Sequence, residues 1–177
     1  MGGRTLAARP LTREAFAPFG DVIQSDGTEH FQVNAGAMDR FHSLAQVDIG
    51  SQPDARAIIS LFRSREAISL PYTVTLMERH PLGSQAFVPL DRQRFIVVVA
   101  PPGKQLDPAE LRAFLTDGTQ GVNYHRGVWH MPLSAFVKDQ EFLVVDRGGS
   151  GNNYEEFCLE DQVTIVGEPR DELAKTP

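Results

Sequence analysis

The chain has one cysteine, Cys158, and one tryptophan, Trp129, in 177 residues. A single thiol excludes an internal disulfide framework and a zinc site built on several cysteines. Within EEFCLED, Cys158 is expected to be buried and inert. Long apolar runs are also lacking. The longest, FIVVVA at Phe95–Ala100, is far too short to span a bilayer. The stretch MGGRTLAARP has no apolar core for a secretory signal, so the cytoplasm is the default compartment. Positive charge is scarce: 17 Lys and Arg face 23 Asp and Glu, a formal net charge of −6. Without a basic run, a phosphate backbone finds little to bind, and no nucleic-acid partner is expected. A G-x-S-x-G elbow and an H-E-x-x-H helix are both missing. DRGGSG holds glycines but no following helix pattern, so it reads as a turn rather than an anion cradle.

What remains is a chain of ordinary globular composition, 41% hydrophobic and 23% charged, long enough for one domain with a sizeable core. Two helix starts stand out. LTREAF has Thr12 as a cap, with Leu11 and Phe16 at the positions of a hydrophobic staple. LDPAELRAFL has Asp107 as cap, Pro108 at the first helical position and Glu110 closing a capping box. Leu111, Phe114 and Leu115 would form one apolar face of that helix. Almost everything else reads as short strands rich in β-branched and aromatic residues: RAIISLFR, PYTVTLMERH, QAFVPL, RFIVVVA, SAFV, EFLVVDRG and DQVTIV. Their spacing predicts a mainly β, antiparallel sandwich or barrel with a few peripheral helices. Residues 1–166 form the expected domain, and 167–177 a flexible tail.

Chemistry concentrates in two stretches. In MERHPLGSQ, Glu78 and His80 are two apart, so a strand points them to one face. A turn at Pro81–Gly83 then leads to Gln85. In YHRGVWHMP, Gly127 can bend the strand, so either His125 or His130 can point inward, and Trp129 and His130 take opposite faces. Each stretch alone also fits an ordinary polar edge.

Together the two stretches resemble the two halves of the cupin signature. Glu78 and His80 stand at the H-x-H positions, Gln85 at the glutamate position, Gly127 at the glycine and His130 at the last histidine. The resemblance implies a cupin-like double-stranded β-sandwich. Its metal set would be Glu78, His80, Gln85 and His130, richer in oxygen than three histidines and a carboxylate. The same groups could also serve as acid, base and hydrogen-bond donors without a metal.

The whole sequence is further similar to the ureidoglycolate lyases of allantoin degradation. The runs that carry the likeness are LTREAFAPFGDVI, VNAG, DRFHSLA, ERHPLGSQAFVP, GVNYHRGVWHMPL and FLVVDRGGSGNN. The resemblance implies cleavage of (S)-ureidoglycolate to glyoxylate and urea, which needs a base for the hydroxyl proton, an acid for the departing nitrogen and a partner for the carboxylate. His80 or His130 would be acid or base, and Glu78 would orient a histidine or act as the alternative base. Gln85 would bind the hydroxyl or the urea carbonyl. Arg40 would clamp the carboxylate, with Arg63 and Arg126 as rivals and Asn34 and His42 nearby. Tyr124 and Trp129 would shape the pocket, and His125 would supply protons or ligands. Nickel or another divalent ion, or none, and a homodimer are further implications. The competing readings are a non-catalytic sensor of small carboxylates and another metal-dependent cupin enzyme.

Overall fold

Strand β9 (Phe95–Ala100) is buried at all six positions and organises the rest. Its odd residues, Phe95, Val97 and Val99, face one apolar cluster, and its even residues, Ile96, Val98 and Ala100, face another. A strand with two apolar faces needs cover on both, so the sequence builds two cores on one strand. The computed structural model describes residues 3–167.

In chain order, β1 (Arg4–Ala7) and β2 (Arg9–Pro10) precede the short helix α1 (Arg13–Phe16) and β3 (Gly20–Ile23). Next come β4 (His30–Val33), β5 (Met38–Phe41), β6 (Arg56–Arg63), β7 (Tyr72–Arg79) and β8 (Gln85–Pro89). After β9 follow β10 (Arg112–Leu115), β11 (Gly121–Tyr124), β12 (Trp129–His130), β13 (Ser134–Ala135), β14 (Glu141–Gly148) and β15 (Glu155–Val166). An eight-stranded sheet runs β1-β15-β7-β12-β9-β10-β2, with β13 also paired to β9. A five-stranded sheet runs β3-β11-β8-β14-β6, and β4 and β5 pair only with each other. Most pairings are antiparallel; β1 with β15 and β2 with β10 are short parallel additions.

The larger sheet coils until β1 touches β10. Inside the coil lie Val74, Met77, Trp129, Met131 and Ile165. The second core fills the space between the two sheets, with Phe87, Val122, Phe142 and Val144 from the smaller one. This is the mainly β, antiparallel sandwich that the strand pattern predicts, in the two-sheet form that the cupin resemblance implies. No helix among the described residues is long and apolar enough to cross a membrane.

Helix α1 forms as expected: Thr12 accepts from the Ala15 amide at 3.2 Å, and Leu11 and Phe16 are both buried. The second expected helix is corrected. Asp107 caps Ala109 at 2.8 Å, but only a 3₁₀ turn at Pro108–Glu110 follows before β10 begins. Pairing with β9 wins over local helical preference, because alternation sends Phe114 to the inter-sheet core and Ala113 and Leu115 into the coil. Cys158 is corrected too: it is exposed, since Phe157 and Leu159 on either side turn inward on β15. The expected tail lies outside the described residues from position 168 onward.

Candidate active site

Two of the chain's crossings between the sheets meet side by side, and the chemistry gathers there. Strand β7 ends with Glu78 and Arg79; His80 follows, and after the turn Gln85 opens β8 in the other sheet. In the opposite direction, β11 ends at Tyr124 and β12 places His130 in the larger sheet. Gly127, at φ 75°, adopts the left-handed backbone that this reversal needs. Its N–H donates to the carbonyl of His80 at 2.9 Å and ties the two crossings together. Strand register then sets the neighbours: His130 pairs with Glu78, and Tyr124 with Gln85.

Both histidines are oriented by backbone carbonyls. His80 Nδ1–H donates to Asn153 O at 2.7 Å, and His130 Nδ1–H donates to Val128 O at 3.1 Å. Each therefore turns Nε2 inward. His130 Nε2 lies 3.3 Å from Glu78 Oε1 and is a buried atom with no hydrogen bond. His80 Nε2 faces Gln85 Oε1 at 3.1 Å, while the Gln85 amide donates to Asp146 Oδ2 at 3.2 Å. Both Nε2 atoms thus meet acceptors, an arrangement that calls for a positive centre. Either a proton on the imidazole or a cation held between the groups supplies one.

Burial pushes the Glu78 carboxyl up, but the close approach of His130, the charges of both histidines and the Tyr154 hydroxyl bring it below its ordinary value. For His80, burial and the neighbouring His130 lower the imidazole, against the pull of the Asn153 carbonyl, Glu78 and Gln85. The Tyr124 ring stacks on His130, and burial holds its phenol far above the usual range.

One oxygen of Glu78 and one nitrogen each of His80 and His130 lie within 4.8 Å of one another. Two imidazoles and one carboxylate suit a divalent transition metal, and the carbonyls on both Nδ1 atoms are the outer partners that such ligands use. The unpartnered Nε2 of His130 fits this reading.

The ureidoglycolate lyase family profile matches residues 3–166. A ureidoglycolate lyase of Pseudomonas syringae pv. tomato is 54% identical over 94% of this chain and 96% of its own. One from Pseudomonas putida is 54% identical over 92% and 97%. The chain belongs to the ureidoglycolate lyase family. The match begins at Gly3, slightly earlier than the likeness read from the sequence. Among solved structures, an rmlC epimerase of Mycobacterium tuberculosis is 16% identical with a TM-score of 0.44, covering 96% of this chain and 87% of its own. That likeness is too distant to bear on the chemistry.

Of the residues expected in the lyase site, the structure brings together Glu78, His80, Gln85, Tyr124 and His130. Trp129 is turned by strand alternation into the coil of the large sheet, where it donates to Gly103 O at 3.1 Å beneath Arg79. His125 points outward to Asp21 at 3.1 Å. Arg126 binds Asp48, and Arg63 binds Glu141. Asn34, Arg40 and His42 are exposed, on or just after the β4–β5 hairpin. Sequence reasoning missed Asp146, Asn153 and Tyr154; the family-like run FLVVDRGGSGNN holds the first two and stops just before Tyr154, and its glycines drew attention instead.

Proposed function

We propose that this chain is a ureidoglycolate lyase that cleaves (S)-ureidoglycolate to glyoxylate and urea. The observation that carries the reading is the triad itself: an ionised Glu78 and two inward Nε2 atoms within 4.8 Å, at the junction of two sheets. Glu78 takes the proton from the substrate hydroxyl. As the carbon–oxygen double bond forms, the carbon–nitrogen bond breaks with its electron pair leaving on nitrogen. A charged imidazole, His130 or His80, delivers a proton from Nε2 to that nitrogen, and urea departs. His130 holds the Glu78 carboxylate ionised, Gln85 fixes His80, Tyr124 forms the wall behind His130, and Arg40 holds the substrate carboxylate.

A divalent ion held by Glu78, His80 and His130 would act as a Lewis acid on substrate oxygens. The net negative charge accords with a cytoplasmic enzyme, and the family likeness supports residues 1–166 as one catalytic domain with a homodimer as its working form.

The test is release of glyoxylate and urea from (S)-ureidoglycolate by purified protein, with and without a chelator, beside His80→Ala and His130→Ala. Each variant is expected to lose about 10²–10⁴-fold in kcat, the usual share of acid–base catalysis. Glyoxylate binding without turnover by the unaltered protein would overturn the lyase in favour of a carboxylate sensor. Loss on chelation that one divalent ion restores would assign the triad to a metal.

A further inference from the structure

The site is short of fixed positive charge. The described groups that shift Glu78 and His80 are each other, His130, Tyr154, Gln85 and the Asn153 carbonyl. The arginines nearby in sequence are all engaged. Arg126 binds Asp48, and Arg79 binds Glu155. Arg147 donates to the carbonyls of Ile49 and Ser150 at 2.9 and 2.7 Å. A substrate carboxylate beside Glu78 and Asp146 needs a cation that these residues do not provide.

The β4–β5 hairpin carries one. Its strands join neither sheet. Register puts Phe31, Val33, Met38, Arg40 and His42 on one face, and Phe31 and Met38 are 50% and 58% exposed. Arg40 stands 6.0 Å over the Phe31 ring, His42 meets the same ring edge at 5.9 Å, and Arg40 has no hydrogen bond or ion pair among the described residues. At the tip, Asn34 and Ala35 both adopt left-handed backbone, with φ of 53° and 56°. Such a conformation disfavours residues with a Cβ and marks a preformed turn. A two-stranded hairpin is marginal in water by itself, so an ordered one with an apolar, cationic face calls for a surface to lie on.

We infer that the hairpin is an arm that crosses to a second copy of this chain and sets Arg40 over that copy's anionic site, so that each pocket is completed in trans. The inference rests on the site acting on a small hydroxy-carboxylate. A second copy fits because its site holds Glu78 and Asp146 with Arg79, Arg126 and Arg147 all engaged elsewhere, and so lacks the charge that Arg40 carries.

Complementation between subunits tests it. Arg40→Ala and His130→Ala chains are given different tags, co-expressed, and the mixed dimer is isolated through both tags. Each variant homodimer is expected to fall about 100-fold or more in kcat/KM. In the mixed dimer one pocket is doubly altered and the other intact, so about half the wild-type kcat per dimer returns, at wild-type KM. Glu78→Gln replaces His130→Ala if that chain fails to fold. A mixed dimer as inactive as its parents, an Arg40→Ala protein with wild-type kcat/KM, or an active wild-type monomer would each overturn the arm. If the wild type fails to turn over ureidoglycolate, the proposed function fails separately, and sedimentation decides the arm. Phe31→Ser with Met38→Ser is then expected to convert dimer to monomer, and an unchanged dimer refutes it.

Discussion

Tyr124 and His130 stack with ring centroids 4.2 Å apart and planes 15° from parallel, although they belong to different sheets. The four residues between β11 and β12 carry the chain across the sandwich, so the strand leaving one sheet supplies the wall for the imidazole on the next. Tyr124→Leu removes the flat wall and leaves a void. Urea unfolding is expected to show about 1–3 kcal/mol lost, with a lower kcat as His130 gains freedom.

Glu78→Gln removes the anion opposite His130 while keeping its size. A fall in kcat of about 10²–10⁴-fold is expected, with secondary structure unchanged by circular dichroism. Near-wild-type turnover would remove Glu78 from the proton path.

Gln85→Glu is expected to harm the protein at neutral pH, because the new carboxyl would stand where an amide now donates to Asp146. Two adjacent carboxylates raise each other's pKa, and a raised folded pKa stabilises at low pH and is lost as pH rises. Urea midpoints should therefore drop by an equivalent of about 1–3 kcal/mol at pH 7 and far less at pH 4.

Asp48 links the 46–50 segment to the second crossing. The Arg126 guanidinium holds its carboxyl below the ordinary value; partial burial opposes this, and the Gly50 N–H adds to it. A depressed carboxyl stabilises above its unfolded pKa, and that contribution disappears as pH falls through the folded one. Asp48→Asn should accordingly flatten the acid limb of stability as pH falls through about 4 and below. An identical acid limb would mean the pair contributes nothing.

Cys158 should titrate fully with a thiol reagent in the native state, because alternation along β15 leaves it outside. A thiol that reacts only in denaturant would contradict this placement.

Strand content was legible because β-branched alternation is local: RAIISLFR and FIVVVA became β6 and β9 with the residues their patterns mark. The segment at 107–115 was misread because its capping signals are local too, whereas the open edge of β9 that claims Phe114 is not. Glu78, His80 and Gln85 were found through spacing on one strand and turn. Trp129 was assigned to the pocket wall, although its own alternation with His130 already sends it to the other face. Asp146, Asn153 and Tyr154 arrive from more than sixty residues away, by pairing of β14 with β8 and β15 with β7, which no short motif records. The hairpin went unread as structure, since its turn relies on left-handed Asn34 and Ala35 rather than a glycine pair.

The two carbonyls that orient His80 and His130 belong to the main chain of Asn153 and Val128. Every amino acid offers the same carbonyl. Position 128 can therefore drift among residues that fit its apolar surroundings while the imidazole keeps its tautomer. Mutational scans of side chains would pass over an anchor that only a change in backbone path can remove.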